Sequence, residues 1–374
     1  MYGLVLEGGG TKGAYHIGAY KALMELEIPV SCIVGSSIGA VNGALFAQGD
    51  WKMVDELWDH ISASDVFSLS HDAHNTKNLL DIKNLQILIK EIQTKKGLDT
   101  SPFEKLLGEM VDEDKLRRSH IDFGLATFNV TGVKEQQLFI RDIPEGQLVD
   151  YLLASARLPG FQTKKIGNSV YMDGGITNNL PVDMLVKAGY TDIICIEVGG
   201  VGFLKKINGA GCNIISVKSG SGSVGTLDFS GESILEAKML GYLDTMRALG
   251  VLAGDKYYIS STDYYVSKLK YSDKLILEIQ RAAEIFGIDK FKIYTVDELA
   301  GLVLDGYNNT HIYDIMTVIN KSDREKTAAL AKAMINSNSE ILENSLVAGV
   351  LGAIFEAASA IAYFYKTSLK GKTQ

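Results

Sequence analysis

Gly35-Ser36-Ser37-Ile38-Gly39 puts a serine at the centre of a G-x-S-x-G pentapeptide. A serine becomes a nucleophile when a sharp strand-to-helix turn lifts its hydroxyl above a sheet and a base stands beside it. That turn brings the residues two before and two after the serine together, so Gly35 and Gly39 must lack side chains. Ser37 takes the central position; Ser36 points elsewhere and is read as structural. Earlier in the chain lies a glycine loop, Gly8-Gly9-Gly10-Thr11-Lys12-Gly13. Residues without side chains let backbone N–H groups converge on one point, and a following helix adds the positive end of its dipole. Such a nest can hold the oxyanion of a tetrahedral intermediate. Lys12 can fix the loop or add positive potential. The same residues fit the G-x-G-x-x-G dinucleotide fingerprint, which also needs a carboxylate at the end of the second strand. That strand ends in Val34-Gly35-Ser36-Ser37, with no acid. The third reading is a tight turn between strand and helix. Gly-Lys-Ser/Thr is missing, so the loop is not a P-loop.

The base is less obvious. In a Ser-His-Asp hydrolase a histidine takes the proton. The six histidines are His16, His60, His71, His74, His120 and His311. None follows a late core strand. His16 lies among apolar residues and reads as a packed core histidine. His71 and His74 form an H-x-x-H that would need further ligands to hold zinc. Asp173, in SVYMDGGITNNLP, ends a strand and is followed by Gly174 and Gly175. It is either a turn-forming Asp-Gly or a base. A Ser–Asp dyad makes chemical sense if burial raises the carboxyl pKa.

These residues need elements to position them. YGLVLE and SCIVG read as short apolar strands; AYHIGAYKALMELE and SIGAVNGALFAQG read as helices. Strands alternating with helices imply a parallel sheet covered on both faces. Residues 50–120 are more polar and read as a helical insertion, with Ser101-Pro102-Phe103-Glu104 in the form of a capping box. DFGLATFNV and VKEQQLFI pair across a Thr131-Gly132 turn. GQLVDYLLASARL and PVDMLVKAG are helices, and SVYMDGG, DIICIEVGG and NIISVKS are strands. The expected organisation is an α/β domain over 1–250 and a mainly helical region over 251–374, with little strand signal. The apolar run 346–365 is long enough for a bilayer, but Glu356 sits near its middle. A helix packed within the protein or a dimer is favoured over a membrane-surface helix or a span.

The composition is that of a globular protein, 46% hydrophobic and 22% charged over 374 residues. A net charge of −8 without a long Lys/Arg block excludes a nucleic-acid partner. A local basic patch remains compatible with a peripheral membrane contact. Cys32, Cys195 and Cys212 lie in or beside apolar runs and read as buried thiols of a reducing compartment. The first residues read as a strand and not a signal peptide, so cytoplasmic residence is the expectation.

GLVLEGGGTKGAYHIGAYKAL, GSSIGA and MDGGITNNLP together resemble the patatin-like phospholipases, and ASARLPGF resembles the family's segment ahead of its aspartate. The resemblance covers roughly residues 1–250 and does not reach 251–374. It implies a patatin-like α/β hydrolase-type fold, with a mainly parallel central sheet flanked by helices. Ser37 would be the nucleophile and Asp173 its only partner, with Gly174 and Gly175 completing an Asp-Gly-Gly motif. Backbone amides of the Gly8–Gly13 loop, Gly9 and Gly10 foremost, would form the oxyanion hole. The resemblance implies no metal and no cofactor. It implies hydrolysis of acyl esters of phospholipids, lysophospholipids or neutral lipids through an acyl-serine intermediate. The alternative is a lipid-binding or regulatory module of the same fold, with weak or ligand-gated activity.

Overall fold

Tyr2–Leu6 (β1) is five residues long, and its last four are buried. Each aliphatic side chain so buried contributes about 1.5–3 kcal/mol. A one-turn 3₁₀ helix, Gly10–Gly13, leads into Ala14–Glu25 (α1). Val30–Ser36 (β2) pairs parallel with β1 and runs into Ile38–Ala47 (α2) and Trp51–His60 (α3). Asp122–Asn129 (β3) and Lys134–Phe139 (β4) follow, then a helix at Leu148–Ser155. Lys165–Ile166 (β5) and Ser169–Asp173 (β6) precede a helix at Val182–Lys187. Asp192–Glu197 (β7), Asn213–Lys218 (β8) and the helix Gly231–Ala248 complete this part of the chain. The computed structural model describes residues 1–68, 94, 97–206, 211–219, 225–313, 317–318, 320–336 and 346–371. His71 and His74, and much of the 50–120 insertion, lie outside them. The chain forms two compact units, Met1–Ala248 and Leu249–Gln374.

Among the described residues, the sheet of the first unit runs β5-β6-β3-β2-β1-β7-β8, with β4 also paired to β3. The five strands from β3 to β8 pair in parallel, as a mainly parallel sheet requires. β4, β5 and β6 pair antiparallel; between β3 and β4 a turn as short as Val130–Val133 can only reverse the chain. Both faces are covered. Val5, Cys32, Val34, Ile193 and Cys195 pack with the Val182–Lys187 helix. On the other face, Leu6, Ile33 and Phe123 lie around Gly43 of α2.

One feature of the register determines where the chemistry falls. β4 occupies one edge of β3 from Gly124 to Asn129. The other edge is shared. β2 holds it up to Ser36, opposite Ala126, and β6 takes over with Asp173, opposite Thr127. Two residues far apart in sequence thus meet end to end on one strand.

Two local expectations are corrected. The helix starting at Ser101 has Thr100 as N-cap, and Asp99 accepts the Ser101 N–H, so Ser101 is the first helical residue and not the cap. Cys212 is half-buried rather than core, at the start of the outermost strand β8. The second unit is mainly helical. It has a small sheet of Ile293–Tyr294, Tyr258–Ser260 and Leu252–Ala253 beside helices Asp273–Ile285, Val296–Asn308 and Asp323–Asn336. The apolar run 346–365 lies within Leu346–Gly371, which is broken at Gly352 (φ 27°). Its Ala357, Ala358, Ile361 and Phe364 are buried with Ile276, Ile279 and Leu330. Glu356 pairs with Arg281. Among the described residues, no helix is long and apolar enough to cross a membrane.

Candidate active site

Ser37 stands between β2 and α2 with φ 55° and ψ −129°. A non-glycine residue in such a region costs about 1–3 kcal/mol and persists only where its surroundings enforce it. Here they do. A Cβ on Gly35 would lie 2.4 Å from the Gly39 backbone, and one on Gly39 would lie 2.3 Å from the Leu6 carbonyl oxygen. The Ser37 N–H donates to Ser155 Oγ at 2.9 Å, and that hydroxyl donates to the Ala126 carbonyl at 2.8 Å. Ser36 is fully buried, its Oγ has no partner among the described residues, and it packs against Gly174.

Asp173 is 2% exposed. Its Oδ1 accepts the Gly175 N–H at 2.7 Å, which closes the Asp-Gly-Gly turn. Its Oδ2 is buried and unpartnered among the described residues. Burial pushes the carboxyl up to about 6 from an ordinary 3.8, opposed by the neighbouring Ser37 side chain and the Gly175 N–H. Ser37 thus lies close enough to favour the ionised form, without closing a hydrogen bond of ordinary length and angle.

The glycine loop divides by function. The Gly8 N–H donates to Asn179 O at 3.1 Å, Thr11 N–H to Thr226 O at 2.9 Å, and Lys12 N–H to Gly9 O at 3.3 Å. Gly13 sits inside the 3₁₀ turn, its carbonyl accepting from Asn42 Nδ2. Thr11 Oγ1 donates to Gly225 O and accepts from the Asp228 N–H. Lys12 Nζ donates to Gly199 O at 2.7 Å, so its role is to fix the loop. The N–H groups of Gly9 and Gly10 have no acceptor among the described residues. Gly10 needs to be glycine: its φ is 60°, and a Cβ would lie 2.1 Å from Thr226 O.

A cleft enclosing about 70 Å³ opens on Ser37 and Gly10. Its walls are mainly apolar: Trp58, Phe67, Phe103, Phe161, Leu227 and Phe229 contribute. Trp58, Phe67 and Phe103 of the 50–120 insertion therefore form part of it.

Residues 4–186 match the family model for patatin-like phospholipase. This stretch belongs to the patatin-like phospholipase family. Neuropathy target esterase sws of Drosophila melanogaster is 29% identical over 201 residues, which cover 53% of this chain and 13% of that protein. Patatin-like phospholipase domain-containing protein 6 of Homo sapiens is 31% identical over 202 residues, covering 52% and 13%. Probable lipid hydrolase 463L of Invertebrate iridescent virus 6 is 26% identical over 190 residues, covering 49% and 63%. The match thus spans 13% of the length of the first two. VipD from Legionella pneumophila superposes over 97% of this chain and 90% of its own, at TM-score 0.43 and 14% identity.

Within the patatin-like domain, several residues that hold the site were not identified from sequence. Asn179 donates to Gly8 O at 2.9 Å and to Glu7 Oε1, stapling the glycine loop to the segment after Asp173. Glu7 Oε2 accepts the Val198 and Gly199 N–H groups; burial raises its pKa, and these bonds oppose the rise. The N–H of Ile38, first in α2, has no acceptor among the described residues, and Ile38 lines the same cleft. His16 is fully buried beside Asn42, and burial alone drives its pKa down to about 3, so it is neutral. Ser155 lies in ASARLPGF, but only the fold reveals what its hydroxyl holds. Ser155→Ala orphans the buried Ser37 N–H and is expected to cost about 1–3 kcal/mol. Urea unfolding measures this, and an unchanged midpoint would count against it.

Proposed function

We propose that Met1–Ala248 is a serine acyl hydrolase that cleaves carboxylic esters of phospholipids, lysophospholipids or glycerides with a Ser37–Asp173 dyad. The observation that carries this reading is the strained Ser37 set beside the unpartnered oxygen of buried Asp173, with Ser36, the residue before it, one register step from Asp173 on β3. Ser37 Oγ attacks the ester carbonyl carbon while its proton passes to Asp173. The N–H groups of Gly9, Gly10 and Ile38 take the oxyanion; removing one donor of this kind typically costs about 2.7–4 kcal/mol of barrier. Collapse breaks the ester C–O bond, Asp173 returns the proton to the leaving alcohol, and the acyl group stays on Ser37. Water repeats the sequence and releases the fatty acid. The apolar cleft takes the acyl segment next to the ester.

Fatty-acid release from lysophospholipid and monoacylglycerol micelles tests the reading. Asp173 accepts a proton only when ionised, and its pKa lies near 6. The expected kcat/KM is therefore low in acid, rises through about pH 6 and levels above it. A profile flat from about pH 5 to 8 would remove Asp173 as the base.

A further inference from the structure

Ser155-Ala156-Arg157 is tied to both halves of the proposed dyad. Ser155 Oγ takes the Ser37 N–H, and the Arg157 carbonyl takes the Asp173 N–H at 2.8 Å. Arg157 is 6% exposed and lines the same cleft as Ser37. One of its five donors is engaged among the described residues, Nη1 to Lys164 O at 3.0 Å. No carboxylate among them lies within ion-pair distance. The acids it feels, Glu104 and Asp150, are both held by Lys164 Nζ, at 2.5 and 3.3 Å. A guanidinium this deep, with donors to spare and no counter-ion, is costly unless an anion completes the site. Its planar fork matches phosphate oxygens in pairs.

We infer that Arg157 binds the phosphodiester of a phospholipid or lysophospholipid whose acyl ester lies against Ser37, and so sets a preference for phosphorylated over neutral acylglycerols. This rests on the acyl-hydrolase reading above.

The test uses the full chain, wild type and Arg157→Gln and Arg157→Lys, with palmitoyl lysophosphatidylcholine and palmitoyl glycerol in the same detergent micelles. Arg157→Gln is expected to lower kcat/KM for the lysophospholipid by about ten- to a hundredfold, mainly through KM. Hydrolysis of the neutral ester stays within about threefold, and Arg157→Lys recovers part of the loss. Equal losses on both substrates would mean that Arg157 only packs the turn, and no loss on either would mean that it meets no anion; both overturn the inference. Binding of the ether-linked, non-hydrolysable analogues of the two lipids gives a readout without turnover. Weaker binding of the phosphorylated analogue alone, in Arg157→Gln, supports the inference even if neither ester is cleaved. Unchanged relative affinity overturns it whether or not the hydrolase reading holds.

Discussion

Asp173→Asn is expected to leave a folded protein whose acyl-ester turnover falls about 10³- to 10⁴-fold. Asparagine has the shape of aspartate, and its amide oxygen can still accept the Gly175 N–H that closes the turn. It cannot take the Ser37 proton. The same variant should be the more stable protein at alkaline pH. The Asp173 pKa is near 6 in the fold, against an ordinary 3.8. The native state therefore holds this proton more tightly than the unfolded chain. Its contribution is fully favourable below about pH 3.8 and is lost as pH rises through 6. Above that, the ionised buried carboxylate costs on the order of 3 kcal/mol. Asparagine avoids that cost, so the variant's advantage appears at pH 8 and vanishes near pH 4. Urea unfolding at the two pH values measures it. A variant with near-normal turnover, or one no more stable than wild type at pH 8, would count against Asp173 as a buried base.

Ser37→Ala is expected to remove turnover by about 10⁴- to 10⁶-fold while leaving lipid binding intact. Alanine at φ 55° is as strained as serine there, and the Ser155 bond is to the backbone N–H, so stability should change by less than about 1 kcal/mol. Ser36→Ala is the control. Its hydroxyl makes no hydrogen bond among the described residues, and its loss should leave turnover within about tenfold of wild type. Substantial turnover in Ser37→Ala, with Ser36→Ala dead, would reverse the assignment of the two serines.

The elbow was legible because its sterics are local: Gly35 and Gly39 touch across five residues, and that demand is visible in the sequence. The strand-helix alternation that makes the sheet parallel was legible for the same reason. Asp173 could be singled out by its two glycines, but its approach to Ser37 follows from β2 ending and β6 beginning on one edge of β3. No local pattern encodes that. Ser155, Asn179 and Arg157 act through partners far away in the chain, on hydroxyl, amide and carbonyl groups that any sequence offers in plenty. The glycine loop was legible as a whole. Which amides are free depends on Thr226 and Asn179, which occupy two of them. Trp58 and Phe67 sit in a stretch polar on average, so their place in the cleft wall emerged only from the packing.

The most direct measurement is reaction of the intact protein with a fluorophosphonate, followed by peptide mapping of the adduct. The phosphonyl group should sit on Ser37, its rate of attachment should fall below about pH 6, and Asp173→Asn should slow it strongly. An adduct on another serine, or folded protein that does not react at all, would contradict the Ser37–Asp173 account.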